Sequence, residues 1–208
     1  MRAKPRSKVD RLLRMARTPL RARDLDAAGI PRTYLKRLVE RDLIRKVDRG
    51  LYLAVDADVT ELHSLAEVAK RVPHAVVCLH SALLVHELTS EAPHAVWIMI
   101  ERQLNAPRLK YPKLIVFRAS GDALTSGVET RTIEGVEVRI TTPAKTVADC
   151  FRFRSRSGED VAIEALRDFM RKAKGRGDKR GYTMDELTRA AKVDQVTTVM
   201  RPYIQALL

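Results

Sequence analysis

An α+β fold is what this sequence predicts: an N-terminal winged helix-turn-helix over residues 1–55, then a mixed α/β C-terminal domain over 56–208 that ends in helices. Three observations predict it. On a helix, at about 100° per residue, the stretch PRTYLKRLVERD of residues 31–42 gathers Tyr34, Leu35, Leu38 and Val39 on one arc. Arg32, Thr33, Lys36, Arg37 and Glu40 fall on the other. Two β-prone runs follow at 43–47 and 51–55, separated by Asp48-Arg49-Gly50, as in a tight hairpin whose Gly takes a positive φ. Beyond the acidic pair Asp56 and Asp58, strand-like runs occupy the first half of the remaining chain and helical spacings the second.

Taken in order, Val9, Leu12, Leu13 and Ala16 recur at helical spacing and predict a first helix from about residue 7. Arg2, Lys4, Arg6 and Lys8 lead into it as an alternating basic arm, suited either to a phosphate backbone or to a solvated tail. Thr18-Pro19 ends that helix, Leu20-Arg21 suits a short edge strand, and 22–28 a short second helix closed by Gly29 in the left-handed conformation. Pro31 suits the first position of the third helix, where the missing N–H costs nothing. Two helices joined by a tight Gly-containing turn, then a small hairpin, is the layout of a winged helix.

Thr60 is the expected cap of a helix running to Arg71, with Leu62, Leu65, Ala66 and Ala69 buried. Strands are expected at 75–79, 95–100 and 113–118, with a helix over 81–87 between the first two and Pro107 and Pro112 punctuating the last connection. Residues 130–134 and 136–140 flank Gly135 as a hairpin. Thr142-Pro143 starts a helix through Phe153, and further helices are expected at 160–174, at 183–191 behind a Thr183 cap, and at 194–208. The segment Gly175 to Gly181 reads as a flexible linker.

Charge narrows the function. The chain carries 39 Lys and Arg against 26 Asp and Glu, a formal +13. Residues 1–53 hold 16 of the basic and 6 of the acidic residues, a net of +10, which points to a polyanionic partner for this segment. The candidates for contact with double-stranded DNA are Arg32, Thr33, Lys36 and Arg37 early on the third helix, Arg41 on its last turn, and Lys46 and Arg49 on the hairpin. Arg152, Arg154 and Arg156 straddle a helix end and suit either DNA, an acidic partner or the helix dipole.

Other classes find less support. Zinc through His74, Cys78 and His80 lacks any recognised ligand spacing, so no metal and no cofactor is expected. Gly175-Arg176-Gly177 is neither a dinucleotide nor a phosphate loop, and Ser81 and Ser126 lack a nucleophile elbow. Glu134 and Glu137 have no nearby acidic partner for a metal-dependent nuclease, so an enzyme is not expected. Two cysteines, Cys78 and Cys150, fit a reducing compartment, and no apolar run approaches the roughly 18 residues of a membrane span. A soluble cytoplasmic protein with no membrane partner is the expectation.

The segment ending DRGLYLAVDA, the HSALLVHEL and PHAVWIMI stretches, and above all TTPAKTVADCFRF, with Thr142, Pro143, Lys145, Thr146 and Asp149, resemble the AbiEi family. These are antitoxins and transcriptional regulators of type IV toxin–antitoxin systems. The resemblance implies a winged helix that binds inverted repeats in its own promoter and represses the operon. It also implies a C-terminal domain that neutralises a cognate nucleotidyltransferase-like toxin, without a stable complex between the two. A winged-helix regulator with a ligand-sensing C-terminal domain, or a DNA-targeted enzyme, are the alternatives.

Overall fold

A computed structural model describes residues 8–57, 60, 62–175 and 181–207. Arg2, Lys4 and Arg6 of the basic arm, and most of the expected linker, lie outside the described residues. The chain is α+β.

Its first part is α1 (Lys8–Met15), β1 (Leu20–Arg21), α2 (Asp24–Ala27), α3 (Thr33–Glu40), β2 (Ile44–Asp48) and β3 (Leu51–Ala54), with the strands in antiparallel order β1-β3-β2. The apolar stripes meet in one cluster of Leu12, Ala16, Leu20, Leu25, Ile30, Leu35, Leu38, Ile44 and Ala54. Gly29 takes φ 65° after α2, and the Ile30 N–H returns to the Leu25 carbonyl at 2.9 Å. Pro31 does not open α3. The helix begins at Thr33 behind Arg32, because bonds from Tyr34 to Pro31 and from Leu35 to Arg32 first wind a tighter turn. At the other end Asp42, with φ 52°, takes the left-handed position where a Gly is the usual occupant.

The hairpin turn is the two residues Arg49-Gly50, since Asp48 belongs to β2. A bulge between Lys46 and Asp48 pairs Lys46 with Tyr52 but Asp48 with Leu51. Adjacent residues of β3 face opposite ways, so the bulge sends Lys46 and Asp48 to opposite faces of the sheet. Leu51 and Leu53, on the Asp48 face, are buried outside the N-terminal cluster.

The remainder is built on a five-stranded sheet in order β6-β5-β4-β8-β7. These strands are β4 (Val76–Val77), β5 (Val96–Glu101), β6 (Leu114–Ala119), β7 (Val128–Ile133) and β8 (Val136–Thr141). Pairing is parallel for β5–β6 and β4–β8 and antiparallel for β4–β5 and β7–β8. Alternation along β5 divides the core. Val96, Ile98 and Ile100 join the cluster that includes Leu65, Ala66 and Val68 of α4 (His63–Arg71). Trp97 and Met99 join the larger cluster formed with α5 (Leu79–Val85), α7 (Pro143–Arg152), α9 (Glu159–Lys174), α10 (Met184–Val193) and α11 (Thr197–Leu207). Two single turns unsuspected from the sequence, α6 (Asp122–Thr125) and α8 (Arg154–Ser157), complete the order.

The caps divide. Thr142 receives the Lys145 N–H and Pro143 opens α7, while Thr183 forms a full capping box with Glu186 on α10. Thr60 does not cap α4, which starts at His63. Its N–H and hydroxyl instead donate to Glu134 in the β7–β8 turn, at 2.7 and 2.8 Å.

His86 is buried, with Nε2 2.6 Å from the Thr141 carbonyl, so that nitrogen donates. Burial pulls its pKa down from 6.5 to about 4, against the raising effect of that bond. The folded state therefore excludes a proton that the unfolded chain accepts, and stability is lost as pH falls from about 6.5 towards about 4. The urea-unfolding free energy of the wild type is expected to drop from pH 7 to pH 5 more steeply than that of His86→Gln, by up to about 1.4 kcal/mol per pH unit. Parallel pH profiles would dismiss the assignment.

Candidate nucleic-acid interface

The apolar arc of α3 is packed inward at Leu35 and Leu38, which turns Arg32, Thr33, Lys36, Arg37 and Glu40 outward to solvent. Arg41 is exposed just beyond the last helical residue. Lys36 makes only a 3.9 Å surface pair with Glu40, and Arg37 and Arg41 form no ion pair among the described residues. Arg32 is engaged: its guanidinium grips the Asp26 carboxylate of α2 from both Nε and Nη2. That hydrogen bond holds Asp26 below its ordinary pKa and raises Arg32, so the pair is charged at neutral pH.

The hairpin stands beside this helix. Lys46 projects from the α3 face of β2, and an open groove of about 480 Å³ is lined by Arg32, Leu35, Lys36, Val39, Lys46 and Tyr52. Three of the seven predicted residues thus share one groove, while Arg49 sits exposed at the hairpin turn. Tyr52 was not among the sequence candidates. Its signal is the register, which sets it across from Lys46.

On the opposite face of the small sheet stands the C-terminal end of α4. Arg71 pairs with Asp48 at 3.3 Å, Lys70 with Asp24 at 3.1 Å, and Arg21 Nε donates to the Lys70 carbonyl at 2.5 Å. The two parts of the chain are clamped through α4. Its Glu67 carboxylate is buried without a hydrogen bond among the described residues, and burial raises its pKa, partly offset by Arg71 and His63.

Arg152, Arg154 and Arg156 do not form a common basic face. Arg152 reaches Asp194 at 3.1 Å, Arg154 donates to the Phe151 carbonyl, and Arg156 lies 4.1 Å above the Phe117 ring. The segment carrying the family resemblance holds a buried ionic cluster. Lys145 Nζ lies 2.5 Å from Asp149 Oδ1 and 3.0 Å from Asp194 Oδ1, with all three side chains out of water. Burial acts to lower Lys145, but the two carboxylates outweigh it and its pKa is raised. Burial pushes Asp149 up to about 7 despite Lys145, since two carboxylates share the ammonium. The Lys145 wall closes a cavity of about 450 Å³ with Ser126, Thr142, Glu186, Arg189 and Lys192.

His74 and His94 are exposed, and His80 stacks on Trp97. Burial raises the pKa of both thiols, Cys78 and Cys150, away from nucleophilic use. Among the described residues no three His, Cys, Asp or Glu side chains gather as a metal-binding group, and no helix is long and apolar enough to cross a membrane.

The chain resembles the crystal structure of the RV2827C protein from Mycobacterium tuberculosis, with a TM-score of 0.57 at 13% identity, over 89% of this chain and 75% of that one. That likeness is one of fold. No curated protein matches. Residues 7–55, which carry α1 to α3 and the hairpin, match the family described as "Transcriptional regulator, AbiEi antitoxin". That segment is similar to the AbiEi antitoxin family of transcriptional regulators.

Proposed function

We propose that the protein is a DNA-binding transcriptional autorepressor and the antitoxin of a type IV toxin–antitoxin system, acting in the cytoplasm and without catalysis of its own. In this reading residues 1–55 are a winged helix-turn-helix and residues 56–208 the antitoxin domain. The observation that carries it is the outward basic face of α3, flanked by a hairpin that adds Lys46 to the same groove. A helix so presented enters the major groove with Arg32, Thr33, Lys36 and Arg37 towards base edges and phosphates. Arg41, Lys46 and Arg49 meet phosphate on either side. The antitoxin domain opposes a nucleotidyltransferase-like toxin without holding it in a stable complex.

The test is made in cells and on purified protein. The chain is expected to bind the inverted repeats of its own promoter roughly 10³-fold or more tightly than a scrambled duplex. It is also expected to silence a reporter fused to that promoter, and to restore growth to cells expressing a cognate nucleotidyltransferase-like toxin. Binding without discrimination removes the repressor; growth arrest despite expression of the chain removes the antitoxin.

The cavity beside Lys145 favours a second reading, a regulator whose C-terminal domain senses an anionic metabolite through Arg189, Lys192 and the hydroxyls of Ser126 and Thr142. A metabolite-dependent change in promoter occupancy distinguishes it.

A further inference from the structure

The cavity beside Lys145 is rich in hydrogen-bond donors and short of acceptors. It lies between the Ser126-Gly127 turn that precedes β7, the start of α7 and one face of α10, and encloses about 450 Å³. On α10 the residues Glu186, Arg189, Ala190 and Val193 fall at helical spacing, so all four turn to the same side. On α7 Thr142 is the cap and Pro143 has no N–H, which makes Ala144 the first residue of the helix with a backbone donor. That N–H meets no acceptor among the described residues, although Ala144 is only 2% exposed. A donor left unpaired away from water is costly, which calls for an acceptor in front of it.

Four side-chain donors line the same space. The Ser126 hydroxyl and the Lys192 ammonium have no partner among the described residues. Arg189 uses only Nε, on the Asp185 carbonyl at 3.3 Å. The Thr142 hydroxyl accepts the Lys145 N–H at 3.4 Å and keeps its own proton to donate. The acid on this wall, Glu186, is already engaged, since its Oε2 accepts the Thr183 N–H and hydroxyl at 3.1 and 2.7 Å. Beneath the cavity the Lys145 stem packs against Gly127, and its ammonium reaches Asp149 on α7 and Asp194 at the end of α10. The two helices are therefore tied together under the cavity, which holds the donors above it at a fixed spacing.

We propose that this cavity binds a small phosphate monoester, with the phosphoryl group against the start of α7 and the organic part along Ala190 and Val193. Five donors from three elements exceed the roughly four lone-pair sites of a carboxylate. A phosphate monoester brings three terminal oxygens and about two negative charges to meet them. The start of α7, a helix of ten residues, adds its partial positive charge. Glu186 on the same wall repels a second anionic group, so a sugar or glycerol phosphate fits and a diphosphate does not. The inference deepens the second reading above and rests on its cavity.

The experiment is isothermal titration of the full chain with glycerol phosphate and glucose phosphate at constant ionic strength, with glycerol, glucose and citrate as comparison arms. Both phosphate esters are expected to bind, and the free alcohols to give no heat. Arg189→Gln/Lys192→Gln changes two exposed side chains and should weaken the esters by about a hundredfold, each lost charged donor accounting for about tenfold. Thr142→Asp keeps a capping oxygen for α7 while setting a carboxylate in the cavity, and should abolish binding. Arg108→Gln/Lys110→Gln removes the same charge from the connection between β5 and β6 and should leave ester binding unchanged. Equal weakening by the two double variants would mean attraction to the basic surface at large and would overturn the site. If citrate binds and the esters do not, the phosphate assignment is overturned and the anion-sensing reading stands. If no anion binds, both fall. Ester binding that leaves promoter occupancy unchanged upholds the site and removes the sensing.

Discussion

Replacing Lys36 and Arg37 with alanine in the full chain is expected to weaken promoter binding by at least about tenfold at roughly 150 mM salt, and to flatten its salt dependence by about two units of log–log slope. Both side chains are exposed on the outer face of α3, where no partner among the described residues fixes them except the Lys36–Glu40 pair at 3.9 Å. Lys36 is 84% exposed within that pair, which puts it among ion pairs that contribute little to stability. The unfolding free energy should therefore hold within about 0.5 kcal/mol while binding is lost. Affinity equal to that of the wild type would remove α3 as the reading helix. The same variant should still rescue cells from the toxin, since nothing on that face reaches the five-stranded sheet.

Lys145→Met carries the largest expected cost in stability, on the order of 3–5 kcal/mol in urea unfolding. The substitution keeps the stem that packs against Gly127, where an added Cβ would come within 2.8 Å of the lysine Cβ. It removes the ammonium that Asp149 and Asp194 share at 2.5 and 3.0 Å. One oxygen of each carboxylate is already without a hydrogen bond, so the two negative charges are left facing each other in the core with only Arg152 at the edge. Protonation relieves that repulsion, so the deficit should be smaller at pH 5 than at pH 8. In the wild type, Asp149 at about 7 against 3.8 in the unfolded chain means that the folded state holds the extra proton between those values. Its contribution is fully present below about 4 and is lost as pH rises through about 7, opposite in sign to that of His86. A loss below about 1 kcal/mol at pH 8 would show that the cluster adds little to the fold.

The same ionic cluster shows where reading the chain residue by residue stops. Lys145 and Asp149 are one helical turn apart and stand out in the resembling motif, but Asp194 lies 45 positions further along and reads in sequence as an ordinary helix-end acid. Only the packing of α10 and α11 onto α7 puts its carboxylate on the lysine. Arg71 is similar: from sequence it is a basic residue in the last turn of a helix, suited to the dipole, and in the fold it bridges a hairpin and a loop. Thr60 has the right chemistry for a cap, yet Glu134 of a distant turn takes its N–H and hydroxyl.

By contrast, what depends on neighbours within a few residues was decided by the sequence alone. The inward and outward faces of α3, the left-handed glycines Gly29, Gly50 and Gly135, and the caps Thr142 and Thr183 follow from spacing and backbone chemistry that act over one turn. Tertiary structure decided the bulge that parts Lys46 from Asp48, the groove that joins Lys46 to α3, the clamp of α4 on the small sheet, and the partners of Lys145. The reason is physical. A turn or cap is satisfied by atoms its own segment supplies, whereas a buried charge or a strand edge takes whichever partner the assembled core brings within about 3 Å.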